Sequence, residues 1–234
     1  MSVQKKQFIE MEFVGKLKDS GEVFDTSDPK KAAALGLKNI KPAKICVGEK
    51  MLPEKFDSYL VGKEVGKEYS LELSPKEAFG ERKADLIKTI PLRIFREKGV
   101  QPYKGMLLNI DGSIVKIISA SGGRVIADFN NPLAGKNIIY EFKIIRIIDD
   151  LKEKVNIFFN SFLKLKPKNV IIEDKKALLE LSLSKKEFKF YQELFKTLAS
   201  KFKELTSLDI ELRNSEREKE KKENKEENKD LKKA

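Results

Sequence analysis

Five aromatic residues, Phe13, Phe24, Phe56, Phe79 and Tyr140, stand at segment ends or on inward faces of the strands expected in a first domain. An apolar, aromatic-lined pocket is the chemistry such residues could supply. Hydrophobic periodicity alone does not separate that pocket from an ordinary filled core, so both readings stand at this point. What the chain lacks is more selective. It contains no histidine, which excludes His-based acid/base catalysis, Ser–His and Cys–His triads and imidazole metal sites. The single cysteine, Cys46, excludes an internal disulfide and any cysteine cluster, and its apolar strand makes it a small core residue rather than a nucleophile. Acidic residues are plentiful, but no pair sits in an apolar context that would raise a pKa. The phosphate-loop pattern does not occur, and Gly122-Gly123-Arg124 reads as a hairpin turn.

The elements that must position these residues follow from period and punctuation. Phe8–Leu17 alternates, with Ile9, Met11, Phe13, Gly15 and Leu17 on one side, the period of a half-buried strand. Asp19-Ser20-Gly21 turns the chain into a short return strand over 22–26. Residues 27–42 read as a loop with a helical turn, and 43–47 as a strand. Pro53 is expected at the first position of a helix carrying Phe56, Tyr59 and Leu60, and 69–73 alternates again. Pro91 opens a helical turn, and strands at 106–110, 114–119 and 125–129 are separated by Asp111-Gly112 and Gly122-Gly123, strong hairpin signals. Residues 138–148 form a long strand.

A helix with apolar residues from Val155 to Leu165 follows and stops at Pro167. A hairpin turns at Asp174-Lys175. Ser184 and Glu187 form a capping-box pattern for a helix to about Leu205, on which Phe188, Tyr191, Phe195, Leu198, Phe202 and Leu205 make a seam. A last strand is expected at 208–212. Residues 214–234 are mostly Lys, Glu and Asn with one leucine, a tail expected to be disordered.

The length, 234 residues, fits two or three small domains. Lys+Arg 48 against Asp+Glu 37 gives +11, a surface suited to acidic partners such as RNA or the ribosome. No run approaches the length of a membrane span and no apolar leader follows the first lysines, so a cytoplasmic protein is expected. High Lys, Glu and Ile with no Trp suits a thermophile.

Several motifs in order resemble the FKBP-type peptidyl-prolyl isomerases: Gly15 through Phe24-Asp25-Thr26-Ser27, Val47-Gly48 through Phe56, Val65-Gly66, and Ser74-Pro75 through Ala78-Phe79-Gly80. Continuing with Ile87 to Pro91 and Phe95, Gly105-Met106, and Val125 through Asn131 to Gly135, the pattern is similar to the SlyD-like branch, with a domain inserted in the flap. The likeness covers about residues 6–150, and 151–213 resembles the long archaeal members of that branch.

The resemblance implies an α+β fold: an antiparallel sheet wrapped on a short helix (1–85 plus 129–150), a small β-rich insert-in-flap chaperone domain (86–128) and a C-terminal α/β domain (151–213). It implies a pocket lined by Phe13, Phe24, Phe56, Phe79 and Tyr140, with Asp25 at its wall and Leu52-Pro53 at its base. Isomerase and chaperone activity toward unfolded, proline-containing polypeptide would follow, with no cofactor. The metal-binding tail of bacterial SlyD has no counterpart here. Two departures concern donors. Pro53 has no N–H where the family offers one to the substrate carbonyl, and Phe79 replaces a frequent tyrosine. The alternative is a holdase or a ribosome- or RNA-associated protein with little isomerase activity. The C-terminal seam, short of cover in so small a domain, points to a homodimer, and the alternative is that its helix packs on its own hairpin (170–183).

Overall fold

The computed structural model describes residues 1–110 and 112–215. The first strand, β1 (Phe8–Leu17), is followed by β2 (Val23–Thr26), the six-residue helix α1 (Pro29–Ala34), β3 (Ala43–Cys46), α2 (Glu54–Tyr59) and β4 (Glu68–Leu73). Along β1, Ile9 and Met11 have no exposed surface, the outcome expected of the inward set of an alternating strand. A helix as short as α2 is marginal alone. It is held by Phe56 and Leu60, both fully buried. Pro53 is the N-cap of α2, with φ −49° and ψ 136°, one residue ahead of the expected first helical position.

The chain then leaves the sheet. β5 (Ile87–Pro91), α3 (Leu92–Glu97), β6 (Leu107–Ile110), β7 (Ser113–Ser121) and β8 (Arg124–Asp128) build a second sheet in the order β5-β8-β7-β6. Phe95 of α3 closes a core of Val115, Ile117, Val125 and Ala127. β5 is the strand that periodicity missed, because only two of its residues turn inward and proline ends it.

Strand β9 (Ile138–Ile147) returns to the first sheet, whose order is β2-β1-β9-β4, with β3 also on β1. All its pairings are antiparallel. α4 (Leu151–Phe158) runs into a π-helical turn (Phe159–Leu163), then β10 (Asn169–Glu173), β11 (Lys176–Leu181), α5 (Lys185–Thr206) and β12 (Asp209–Asn214). β12 lies parallel to β11 because α5 crosses over between them. The capping box at Ser184 is present: Glu187 Oε2 accepts from the Ser184 hydroxyl at 2.7 Å and its N–H at 3.1 Å.

The C-terminal core corrects the expectation of an uncovered seam. Phe188, Phe195 and Phe202 are 6%, 6% and 1% exposed. Phe195 stacks on Phe159 at 5.7 Å, and Phe202 meets Phe158 edge-on at 5.1 Å. The cover comes from α4 and its π turn, from Val170, Ala177, Leu179 and Leu181 of the β10–β11 hairpin, and from Phe8 and Cys46 of the first sheet with Ile148 just beyond it, all in the same core. The physical ground for a homodimer through these phenylalanines is therefore gone. Cys46 is fully buried. Burial, with Glu49 and Asp57 adding to it, pushes its thiol pKa up to about 12, the behaviour of a packed residue rather than a nucleophile. Arg146 ties the same junction, bridging Glu10 at 2.6 Å and Glu153 at 2.7 Å.

Asn214, assigned to the tail by composition, is instead buried in β12 and donates from Nδ2 to Leu183 O at 2.7 Å. Residues 216–234 of the expected tail lie outside the described residues. No helix among the described residues is long and apolar enough to cross a membrane.

Candidate active site

The five aromatic residues form one continuous chain of rings. Phe79 meets Phe24 edge-on at 5.9 Å, Phe24 meets Tyr140 at 5.8 Å, and Tyr140 stacks on Phe56 at 4.5 Å. Phe13 stands edge-on to both Tyr140 (5.8 Å) and Phe56 (6.3 Å). Such edge and offset contacts suit ring quadrupoles. Phe56, Tyr140 and Phe13 are buried, while Phe24 and Phe79 are half-buried. Phe142, outside the expected set, packs against Phe56 with ring centroids 5.0 Å apart. Leu52 packs against the same cluster. Pro53 is half-buried three residues before Phe56.

Three of the rings, Phe24, Tyr140 and Phe13, are held by local devices. Register places Gly15 opposite Tyr140 on β9 and Asp25 on β2. A Cβ at Gly15 would come within 2.7 Å of the Phe24 ring and 2.9 Å of the Tyr140 ring. Glycine is required there for the two rings to lie against the strand, a role that alternation conceals. Gly15→Ala should push both rings outward and lower kcat/KM on a prolyl peptide by about tenfold, equivalent to ~1.4 kcal/mol, with the fold retained by circular dichroism. An unchanged rate would refute this role.

Ser27 and Thr26 fix Phe13: the Phe13 N–H donates to Ser27 Oγ at 3.0 Å, and the Thr26 hydroxyl donates to Phe13 O at 2.9 Å. Asp57 fixes the approach to Leu52-Pro53. Buried at 3% exposure, it accepts from the N–H groups of Gly48 and Lys50, both at 2.8 Å. Asp57 has no sequence signature beyond residue type, since its partners are chosen by the fold.

Asp25, expected at the pocket wall, is exposed on β2 and close enough to Tyr140 for its charge to act there. Loss of solvation raises its carboxyl pKa against the lowering effect of the Thr26 backbone. Burial, and then the Asp25 charge, raises the Tyr140 hydroxyl above the ordinary phenol range. The Tyr140 hydroxyl therefore stays neutral, while the Asp25 carboxyl is shifted toward its protonated form. Among the described residues no three His, Cys, Asp or Glu converge as metal ligands.

The Phe79 loop connects the site to the second sheet. Gly80 has φ +83° and its carbonyl accepts from Gly135 N–H at 2.9 Å. Beyond it, Arg82 donates to Asp128 Oδ2 at 2.7 Å, and Asp128 Oδ1 accepts from the Asn130 N–H (2.9 Å) and side-chain amide (2.7 Å). Asn130 also exchanges bonds with the Lys83 backbone, at 2.8 and 2.9 Å. This lock joins the outgoing and returning chains. Burial would raise the Asp128 pKa, but the bonds from Asn130 and Arg82 outweigh it and hold the carboxyl low. A depressed folded pKa stabilises above the unfolded value of ~3.9, and that stability is lost as pH falls through the folded value. Pepsin cleavage near Lys83 and Asn130 should accelerate below about pH 4 in the parent, whereas Asp128→Asn should show a flatter pH response at that site. Identical profiles would remove the lock's pH dependence.

The family described as FKBP-type peptidyl-prolyl cis-trans isomerase matches residues 1–93, and the one described as FKBP26, IF domain matches residues 88–133. Neither reaches 151–213. A short-type peptidyl-prolyl cis-trans isomerase of Methanocaldococcus jannaschii is 30% identical over 146 residues, covering 61% of this chain and 92% of the relative. The FKBP-type 16 kDa peptidyl-prolyl cis-trans isomerase of Escherichia coli K12 is 29% identical over 150 residues, covering 62% and 94%. A SlyD isomerase of Treponema pallidum is 29% identical over 131 residues, covering 54% and 68%. With the ring chain, its glycine and the flap insertion all in place, the chain belongs to the FKBP-type peptidyl-prolyl cis-trans isomerase family.

Proposed function

We propose that this protein isomerises X–Pro bonds in the Phe13–Phe24–Phe56–Phe79–Tyr140 site and holds unfolded polypeptide on the inserted sheet. The division of labour is an isomerase domain (1–85 plus 129–150), a chaperone insert (86–128) and a C-terminal domain (151–213), in the cytoplasm. The observation that carries the reading is the continuous chain of aromatic rings, in a sequence without histidine. Rotation about X–Pro faces ~18–20 kcal/mol because amide resonance favours the planar state. A site of ring faces and edges solvates the charge-separated planar imide poorly and accepts the twisted one. That is complementarity to the transition state without acid or base. Asp25 at the wall and Leu52-Pro53 at the base complete the enclosure, and polypeptide held on the insert meets the site at raised effective concentration.

Pro53 marks a missing main-chain donor. Pro53→Ile returns an N–H at the N-cap of α2, keeps the carbonyl that accepts from Asp57 N–H at 2.9 Å, and should raise kcat/KM by several-fold, about 1 kcal/mol. A protease-coupled prolyl-peptide assay beside an aggregation-suppression assay tests the whole reading. Isomerisation at the uncatalysed rate with suppression retained would instead establish the holdase. Ribosome or RNA association rests on the net charge alone and has no site in its support.

A further inference from the structure

A cleft of about 790 Å³ opens between the second sheet and the returning loop before β9. Its apolar floor includes Leu107 and Ile114, 61% and 56% exposed, and the half-buried Ile118. Leu107 pairs with Lys116 across β6 and β7, and β6 is the sheet's edge strand. Side chains that alternate outward on β7 place Ile114, Lys116 and Ile118 on this one face. Apolar surface of this kind, left open on an edge strand, suits an extended chain.

The charge around the cleft is one-sided. Its charged lining residues are Arg82, Lys104, Lys116, Lys136 and Asp128. Asp128 is taken by Arg82 in the neck lock. Lys104, Lys116 and Lys136 are exposed, and no carboxylate of the described residues pairs with them. The far end of the cleft is adjacent to the isomerase site, because Gly135, next to Lys136, donates to Gly80, next to Phe79.

We infer that this cleft selects polypeptide segments in which apolar residues are flanked by acidic ones, and so directs the isomerase toward prolines near such segments. The inference rests on the client-binding reading above and adds the sign of charge that the client must carry. Apolar residues would cover Leu107 and Ile114, and carboxylates would meet the three lysines.

The test uses the full chain and labelled synthetic peptides with one apolar core flanked by aspartates, by lysines or by serines. The aspartate-flanked peptide should bind about fivefold or more tighter than the lysine-flanked one at low salt, the expected scale for a few exposed ion pairs. The gap should shrink at high salt. Replacing all three lysines (K104E/K116E/K136E) should reverse the order, and K104R/K116R/K136R should preserve it. Equal binding of all three peptides would overturn the charge selection while leaving client binding intact. No binding of any peptide would overturn both. An aspartate-flanked peptide whose core is serine, or a single-stranded oligonucleotide, binding as tightly as the parent peptide would mark a plain polyanion site and also overturn the proposal. An uncharged prolyl tetrapeptide reports the isomerase separately, and its turnover should not change in K104E/K116E/K136E.

Discussion

Phe56→Ala is expected to lower kcat/KM on a prolyl peptide by at least about tenfold, ~1.4 kcal/mol of transition-state stabilisation, and to cost the fold about 3–5 kcal/mol. Phe56 has no exposed surface. It stacks on Tyr140 at 4.5 Å, leans on Phe142 at 5.0 Å and receives the edge of Phe13 at 6.3 Å. Truncation removes the ring against which these three pack, so the loss is one of shape as well as of contact. Phe56→Leu separates the two effects, since it keeps most of the apolar volume and should melt near the parent. If Phe56→Leu also turns over like the parent, the aromatic ring is not what catalyses the rotation.

Excision of residues 88–127 should abolish most aggregation suppression while leaving a folded isomerase domain. Ile87 pairs directly with Asp128, and Phe129 N–H donates to Leu86 O at 2.9 Å. The ends left by excision are therefore paired neighbours, about 5 Å apart at Cα, and a short glycine turn closes them. Asp128 must stay, because it carries the lock to Arg82 and Asn130; excising 86–128 would remove it. The removed segment owns a separate small core around Phe95, Val115 and Ile117, so its loss opens no cavity beneath the aromatic rings. Aggregation suppression equal to the parent's would move client binding elsewhere on the molecule. A collapse of the isomerase domain, read by circular dichroism, would show that the insert is needed for the fold.

Much of this architecture was legible because its signals are local. Alternation along β1, the Ser184–Glu187 capping box and the Gly122-Gly123 turn each involve residues a few positions apart, and each specifies its element wherever that element is packed. The absence of histidine likewise ruled out proton-transfer catalysis by that residue before any geometry was known. The site's aromatic residues were found through motif resemblance, since period alone left core and pocket equivalent. Local pattern fell short at β5, whose few inward residues carry too little period, and at Asn214, whose polar type hid a buried amide paired to Leu183.

What only the tertiary structure decided are relations between distant residues. Gly15 lies against Phe24 and Tyr140 because antiparallel register puts β2 and β9 on either side of β1, and no spacing along the chain encodes that approach. The phenylalanine seam of α5 reads identically whether a second copy or the chain itself covers it. Here α4, its π turn, the β10–β11 hairpin, and Phe8 and Ile148 from the other side supply the cover. A helix face records how much apolar surface must be buried, whereas its partner is chosen by which other surfaces the folded chain brings within reach.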